Sequence, residues 1–335
     1  MRVGIAGYGL AGRSFHGPLL KGVGFEVAAI LTTNSTRVRQ AKEDFPLVKI
    51  VENFSDLLCQ DLDLVVIATA NKAHAEQALA AIAAGIPVVI DKPAARTLAE
   101  TQTIFTAADK AGVPVTVFYN RIWDSDALTI KRVLTQGLIG KPFRLDSRFE
   151  RFRPQLNPAS WRENESPENG GGLLLDLQTH LLSTALDWFG PAQLTNAHIR
   201  SIRGNSEDDV VLTLKHDSGV DSYLSASAIA GNPGPRIRLL GTEGALVIED
   251  LDPQEALLRA GEFPEGGTWK VPTASRAFIY KGDAKEEITG VAGNYGAFYL
   301  AVKAALTDGA AWPISQEEVL AVAKIIDRAR EINAR

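Results

Sequence analysis

An α/β fold in two parts is predicted by three features of this 335-residue sequence. Through about residue 120, continuous β-branched runs alternate with helical stretches, the signature of a doubly wound parallel sheet. A glycine pattern, Gly7-Tyr8-Gly9-Leu10-Ala11-Gly12, closes the first run and opens the first helix. Beyond Tyr119, several strands succeed one another without intervening helices, which predicts an α+β second part with an antiparallel sheet.

In order, the first part has strands over Val3-Ala6, Val27-Leu31, Leu64-Thr69, Val88-Ile90 and Val115-Phe118, which are apolar and hence buried on both faces. Helical patterns fall between them at Ala11-Leu20, Thr36-Phe45, Ala73-Ala84 and Leu98-Ala111. The last two are stopped by Gly85-Ile86-Pro87 and Gly112-Val113-Pro114. The second part opens with a helix (Ser125-Gln136) and an alternating strand (Phe143-Phe152), which puts Phe143, Leu145 and Phe149 on one face and charges on the other. A glycine run then opens a helix over Leu173-Phe189. Strands follow at Leu194-Ile202, Val210-Lys215, Ser222-Ala228, Ile237-Gly241 and Ala245-Glu249, joined by turns such as Asp217-Ser218-Gly219 and Thr242-Glu243-Gly244. Helices Tyr295-Thr307 and Gln316-Asn333 end the chain. The change of pattern places the boundary between residues 1–120 and 121–335.

Composition narrows the function. With 40 acidic and 35 basic residues spread along the chain, a net charge of −5 and no basic block, nucleic acid is not an expected partner. The amino terminus enters a strand without a basic leader and no apolar run is long enough to span a bilayer, so a cytoplasmic protein is expected. Cys59 is the one cysteine, which rules out an intrachain disulfide, and its helical spacing from apolar neighbours predicts a core position.

The glycine fingerprint follows a strand and precedes a helix, the context in which it binds a dinucleotide. Gly7 permits the tight turn, Gly9 lets backbone amides approach a pyrophosphate at the positive helix end, and Gly12 lets helix pack on strand, with Leu10 and Ala11 between them. About twenty residues on, an NAD site of this type carries an acid for the ribose hydroxyls; here the segment reads Thr32-Thr33-Asn34-Ser35-Thr36-Arg37. Hydroxyls, an amide and Arg37 suit a ribose 2′-phosphate, so NADP is expected ahead of NAD. Asn34 or Ser35 equally serves as the cap of the helix beginning near Thr36. A cation in a first helical turn opposes the macrodipole, which points to a role for Arg37.

Asp91-Lys92-Pro93 ends the run Val88-Val89-Ile90 and sets a lysine at the carboxyl end of a buried strand, where open α/β sheets place ligands. Ala70, Asn71 and His74 follow the strand ending at Thr69 and border the same edge; His74 equally serves as a helix cap or packing residue. Behind Gly170-Gly171-Gly172, Asp176, His180 and Ser183 stand at i, i+4 and i+7, one face of a helix whose other face is Leu174, Leu177, Leu181, Ala185 and Trp188. The glycines offer close ligand approach. Two such ligands with no further His/Cys/Asp cluster speak against a metal site. Asn120, Arg121, Trp123 and Asp124, with Trp161 and Arg162 in a polar, proline-containing loop, are further substrate-pocket candidates, a structural hinge being the rival for the first four. His16, His198 and His216 have no partner pattern and are expected to be structural.

These residues resemble the glucose-fructose oxidoreductase, inositol dehydrogenase and MocA (Gfo/Idh/MocA) family over almost the whole chain. The resemblance rests on the glycine fingerprint, Ile67-Ala68-Thr69-Ala70-Asn71 with His74, Lys92-Pro93, and Asp176 with His180 behind three glycines. The stretches Ser14-Phe15-His16-Gly17-Pro18-Leu19, Asn120-Arg121-Ile122-Trp123-Asp124-Ser125-Asp126 and Trp161-Arg162-Glu163 look like the branch containing NADP-dependent scyllo-inositol dehydrogenases. The resemblance implies an amino-terminal Rossmann domain, a carboxy-terminal domain whose open antiparallel sheet carries the substrate helix, and dimers formed through that sheet. Gln178, where the family usually has glycine, and Ser183, where an acid or asparagine is common, stand beside the expected pocket and put the choice of hydroxyls in question.

The expected chemistry is hydride transfer between nicotinamide and a hydroxyl or carbonyl carbon of a cyclitol, sugar or related polyol. His180 is the expected base, Lys92 the stabiliser of alkoxide-like charge on the reacting oxygen, and Asp176 the holder of a substrate hydroxyl or orienter of the base. The alternatives are a cofactor-bound ligand sensor without catalysis and a reductase of a less polar carbonyl or tetrapyrrole substrate.

Overall fold

The computed structural model describes residues 1–204 and 206–333. The chain forms two compact units: Met1–Asn120 with Gln254–Pro272 and Asn294–Val319, and Arg121–Pro253 with Thr273–Gly293 and Leu320–Arg335.

The first unit is built on six parallel strands, β1 (Arg2–Ala6), β2 (Glu26–Leu31), β3 (Lys49–Val51), β4 (Leu64–Ile67), β5 (Val88–Asp91) and β6 (Val115–Phe118), ordered β3-β2-β1-β4-β5-β6. The order reverses between β1 and β4, which opens a crevice at the carboxyl ends of these strands. Every residue of β4, β5 and β6 is buried, as continuous β-branched runs require when both faces are covered. Gly112 ends the helix Leu98–Ala111 with φ +65°, the left-handed cap that glycine adopts at no steric cost. After β1 the chain winds as a π-helix over Ala11–His16 and as an α-helix over Gly17–Gly22. The added residue per turn brings His16 wholly inside.

The elements of this unit absent from the sequence reading include a short strand and short helices, among them Gln254–Arg259. Strand β3 has only three residues, and the helix Phe54–Leu58 only five, too short to show a period. Cys59 is corrected by the same helix: it stands at the helix end and faces solvent, while Leu57 takes the buried position.

The second unit carries an eight-stranded open sheet: β7 (Pro142–Glu150), β8 (Ala192–Arg200), β9 (Asp209–His216), β10 (Asp221–Ser227), β11 (Ile237–Gly241), β12 (Gly244–Ile248), β13 (Ala277–Lys281) and β14 (Ala284–Ile288). Their order is β14-β13-β12-β11-β7-β10-β9-β8, and only the β10–β7 pair is parallel. In β7, Leu145 and Phe149 face the core as the alternation demands, whereas Phe143, at the strand's start, is 46% exposed. The predicted single helix over Leu173-Phe189 is two, Leu173–Asp176 and Gln178–Phe189, broken at Leu177 (φ −105°). No described helix is long and apolar enough to cross a membrane.

Candidate active site

In the first unit, the glycine loop has the shape of a phosphate cradle. A Cβ on Gly7 (φ +92°) would lie 2.6 Å from the Ala68 carbonyl oxygen, and one on Gly12 only 2.0 Å from the Gly7 oxygen. Both positions therefore require glycine. Gly9 differs: its nearest neighbour would be the Arg37 guanidinium carbon at 3.7 Å, so the space above it is open except for a cation. Arg37 is exposed and, among the described residues, pairs with no carboxylate. Asn34 caps the helix Ser35–Asp44, accepting from the Thr36 and Arg37 amides at 3.1 Å each. Capping and proximity to the loop thus coexist: the cap fixes the backbone from which Arg37 reaches Gly9. Thr32 is buried and Thr33 exposed; Leu10 is 45% exposed beside the loop, and Ala11 is half-buried. Below the loop, Asp44 accepts from Tyr8 Oη at 2.9 Å and pairs with Arg13 Nε at 2.8 Å. Burial, and then the hydrogen bond to Asp44, pushes the Tyr8 phenol well above its ordinary range, so it stays a donor. An open glycine loop at a helix start, approached by a guanidinium, fits a dinucleotide cofactor.

The β4 and β5 ends are tied by His74. Its ring is fully buried, with Nδ1 2.8 Å from the Pro93 oxygen and Nε2 3.2 Å from the Thr69 oxygen. His74 has no surface to offer a ligand and acts by holding the Lys92-Pro93 segment, whose peptide bond is cis. Asn71, the first residue of the helix Asn71–Ala83, is buried, and Ala70 is half-buried. Lys92 is half-buried at the strand end. Its neighbour Asp91 lies 3.5 Å from His16 Nε2, and His16 Nδ1 lies 2.5 Å from the Tyr299 hydroxyl. Burial alone would raise the Asp91 carboxyl, but the hydrogen bond and charge of His16, with Lys92 and His74, hold it below the usual carboxylate range. Asn120, the last residue of this segment, is buried.

In the second unit, Arg162 Nε donates to Asp176 Oδ1 at 3.2 Å, and the Arg162 guanidinium stacks on the Trp161 ring at 4.5 Å. Three residues singled out in the sequence are thereby brought together, all partly exposed. His180 is 6% exposed, and its ring meets the edge of Phe149 at 6.1 Å. Phe149 in turn bears two guanidinium groups, Arg236 at 4.0 Å and Arg121 at 5.4 Å. Arg236 lies 3.2 Å from Asp126, and Arg121 3.2 Å from Asp124. Arg121 and Asp124 are thus buried beside Phe149 and His180, with Trp123 half-buried.

Two expectations need correction. Gln178 does not line a pocket: it is fully buried and its Nε2 donates to the Val210 and Leu224 carbonyls at 2.9 and 3.0 Å, fastening the helix to β9 and β10. Ser183 spends its hydroxyl on the His180 carbonyl at 3.1 Å. The triglycine also has a packing reason, since a Cβ on Gly171 would meet the Glu165 oxygen at 2.1 Å and one on Gly172 the Glu207 carboxyl. Sequence reading missed His16, Tyr299 and Glu207. A histidine inside a β-α crossover carries no sign of partners 75 and 283 residues away.

The loop and strand order define an α/β protein with a dinucleotide-binding fold. The comparisons make this specific: the oxidoreductase family described as having an NAD-binding Rossmann fold matches residues 1–119, and its carboxy-terminal α/β domain matches residues 131–333. The chain belongs to the Gfo/Idh/MocA family. It is 34% identical to the scyllo-inositol 2-dehydrogenase (NADP(+)) IolW of Bacillus subtilis, over 99% of this chain and 93% of that one. It is 31% identical to the D-apiose dehydrogenase of Paraburkholderia graminis over 67% of this chain and 60% of that one. Among solved structures, the putative oxidoreductase YvaA of Bacillus subtilis matches with a TM-score of 0.88 and 32% identity, covering 100% of this chain and 98% of that one.

Proposed function

We propose that this enzyme uses NADP to interconvert a hydroxyl and a carbonyl on a cyclitol, sugar or related polyol. The observation that carries the reading is the Asp176–Arg162–Trp161 grouping, with Asp176 on the short helix that precedes the helix of His180: an acid, a forked cation and an aromatic face, a set suited to a hydroxyl-rich ring. The names of the B. subtilis and P. graminis relatives support the substrate class. Arg37 beside Gly9, with no acid between Thr32 and Arg37, supports NADP.

The loop around Gly7 and Gly9, which the packing of Gly12 on Gly7 keeps in shape, would hold the pyrophosphate, and Thr33, Asn34 and Arg37 the 2′-phosphate; when bound, the nicotinamide supplies the hydride acceptor or donor. His180 takes the hydroxyl proton at a ring nitrogen in the oxidative direction. Lys92 donates to the same oxygen and stabilises the charge that develops there. Asp176, oriented by Arg162, accepts from a neighbouring hydroxyl and fixes the ring. The experiment is a panel of polyols and sugars incubated with NADP or NAD while reduced nicotinamide is followed. Turnover of a ring polyol with NADP at a kcat/KM at least about tenfold above that with NAD is expected. Turnover confined to apolar carbonyl compounds, or to NAD, would overturn the reading.

A further inference from the structure

Glu207 lies between β8 and β9, 3% exposed, and neither carboxyl oxygen makes a hydrogen bond of ordinary geometry with a described group. The carboxyl packs on Gly172: a Cβ built there would lie 2.1 Å from the carboxyl carbon and 2.2 and 2.3 Å from its oxygens. Gly172 opens the turn Leu173–Asp176. The Leu173 amide donates to the Glu207 carbonyl at 3.0 Å, and the Asp176 amide to the Gly172 carbonyl at 3.1 Å. Glu207 therefore meets the turn carrying Asp176 twice, through its backbone and through its carboxyl. The residue after Glu207 is tied down, because Asp208 accepts from the Ile202 and Arg203 amides at 2.8 Å each and pairs with Arg203 Nε at 3.0 Å.

A buried carboxylate is far costlier than a buried neutral acid or a glutamine. An acid is nevertheless present, opposite a glycine whose missing side chain makes room for it. We propose that Glu207 is a positioning residue for the Asp176 turn: as a neutral acid it seats on Gly172, and on ionising it withdraws toward water and loosens that turn. The consequence is weaker substrate recognition as pH rises past neutrality, an inference that rests on reading Asp176 as a substrate contact.

The surroundings agree with the direction. Burial pushes the carboxyl up to about 7, outweighing the amides of Glu207 and Leu174 and the charge of Arg330, while Glu168 pushes the same way as burial. Of the neighbouring charged groups, Asp176 pairs with Arg162 and Asp208 with Arg203.

The test is backbone hydrogen exchange of the full chain over residues 170–178, from about pH 6 to about pH 9, in wild type and Glu207→Gln. Corrected for intrinsic rates, wild-type protection is expected to fall at least about tenfold through neutrality and that of Glu207→Gln to stay flat. The KM for whichever panel polyol is turned over with NADP should rise with pH in wild type and not in the variant. Parallel exchange curves would overturn the inference. If the glutamine variant does not fold, Glu207→Asp, with its shorter arm, is expected to lose protection at every pH, and wild-type behaviour there overturns the inference equally. Asp176→Asn separates the two claims. An unchanged KM removes the substrate reading of Asp176, whereas a raised KM beside parallel exchange curves removes the Glu207 inference alone.

Discussion

His16 Nε2 lies 3.5 Å from Asp91 Oδ1, in a core that leaves His16 no exposed surface. The Tyr299 hydroxyl closes the other side of the ring at 2.5 Å, and Phe118 packs against the ring at 4.5 Å. Burial, and then the charge of Asp91, drives the Tyr299 phenol well above its ordinary range, so it remains protonated. The residue preceding Lys92 is thereby anchored at the strand end.

Because its carboxyl is held below the unfolded value of about 3.9, Asp91 contributes stability that is present above that pH and lost as pH falls through the folded value. Asp91→Asn should cost about 3–5 kcal/mol at pH 7, the range for breaking a buried pair, and the gap to wild type should close in acid. Denaturant titrations at neutral and acid pH read this directly. Equal gaps at both would remove the ion-pair account.

The loop glycines should separate by mechanism. Gly12→Ala drives a methyl to within 2.0 Å of the Gly7 oxygen and should lower stability by about 1–3 kcal/mol. Gly9→Ala meets nothing closer than Arg37 at 3.7 Å, so its melting temperature should match wild type while NADP affinity falls at least about tenfold. Calorimetry with and without NADP distinguishes them.

Arg37→Ala removes the cation beside Gly9. NADP should bind about 10–100-fold more weakly, the worth of charge-assisted bonds to a phosphate, with NAD affinity nearly unchanged. Equal losses for both cofactors would place Arg37 outside the 2′-phosphate site.

Gln178→Leu removes the two buried hydrogen bonds that its amide gives to the Val210 and Leu224 carbonyls. A buried hydrogen bond is worth about 0.5–1.5 kcal/mol net, so a loss of about 1–3 kcal/mol is expected in thermal or denaturant unfolding. A loss of substrate affinity without a loss of stability would return Gln178 to the pocket.

Most strands of the first unit were legible because burial on both faces leaves an uninterrupted apolar run, as in Val88–Asp91. The glycine fingerprint was legible because steric necessity at Gly7 and Gly12 admits one residue type. What stayed hidden was tertiary. The helix Gly296–Asp308 shows an apolar face in sequence, yet nothing there says that Phe298 and Tyr299 pack on Phe118 of the first unit. Strand β14 escaped notice since it is exposed along nearly its whole length and so carries no apolar alternation, whereas β13, buried over Ala277, Phe278 and Ile279, had an apolar run that was overlooked. In the site, the i, i+4 spacing of Asp176 and His180 implied one helical face, yet the helix breaks at Leu177 between them; Gln178 was misjudged because a polar residue on a buried helix reads the same whether it faces ligand or backbone carbonyls. Glu207 sits in an acidic run, Glu207-Asp208-Asp209, that reads as a solvated turn.

Proton transfer at His180 and charge stabilisation by Lys92 are the centre of the proposed chemistry, and the most direct measurement is turnover of the favoured polyol by Lys92→Ala and His180→Asn beside wild type, with NADP affinity measured on the same samples. The expected result is a fall in kcat of about 10²–10⁴ for each, with NADP binding and melting temperature within a factor of about two and a few degrees of wild type. Turnover near the wild-type rate in either variant would contradict it.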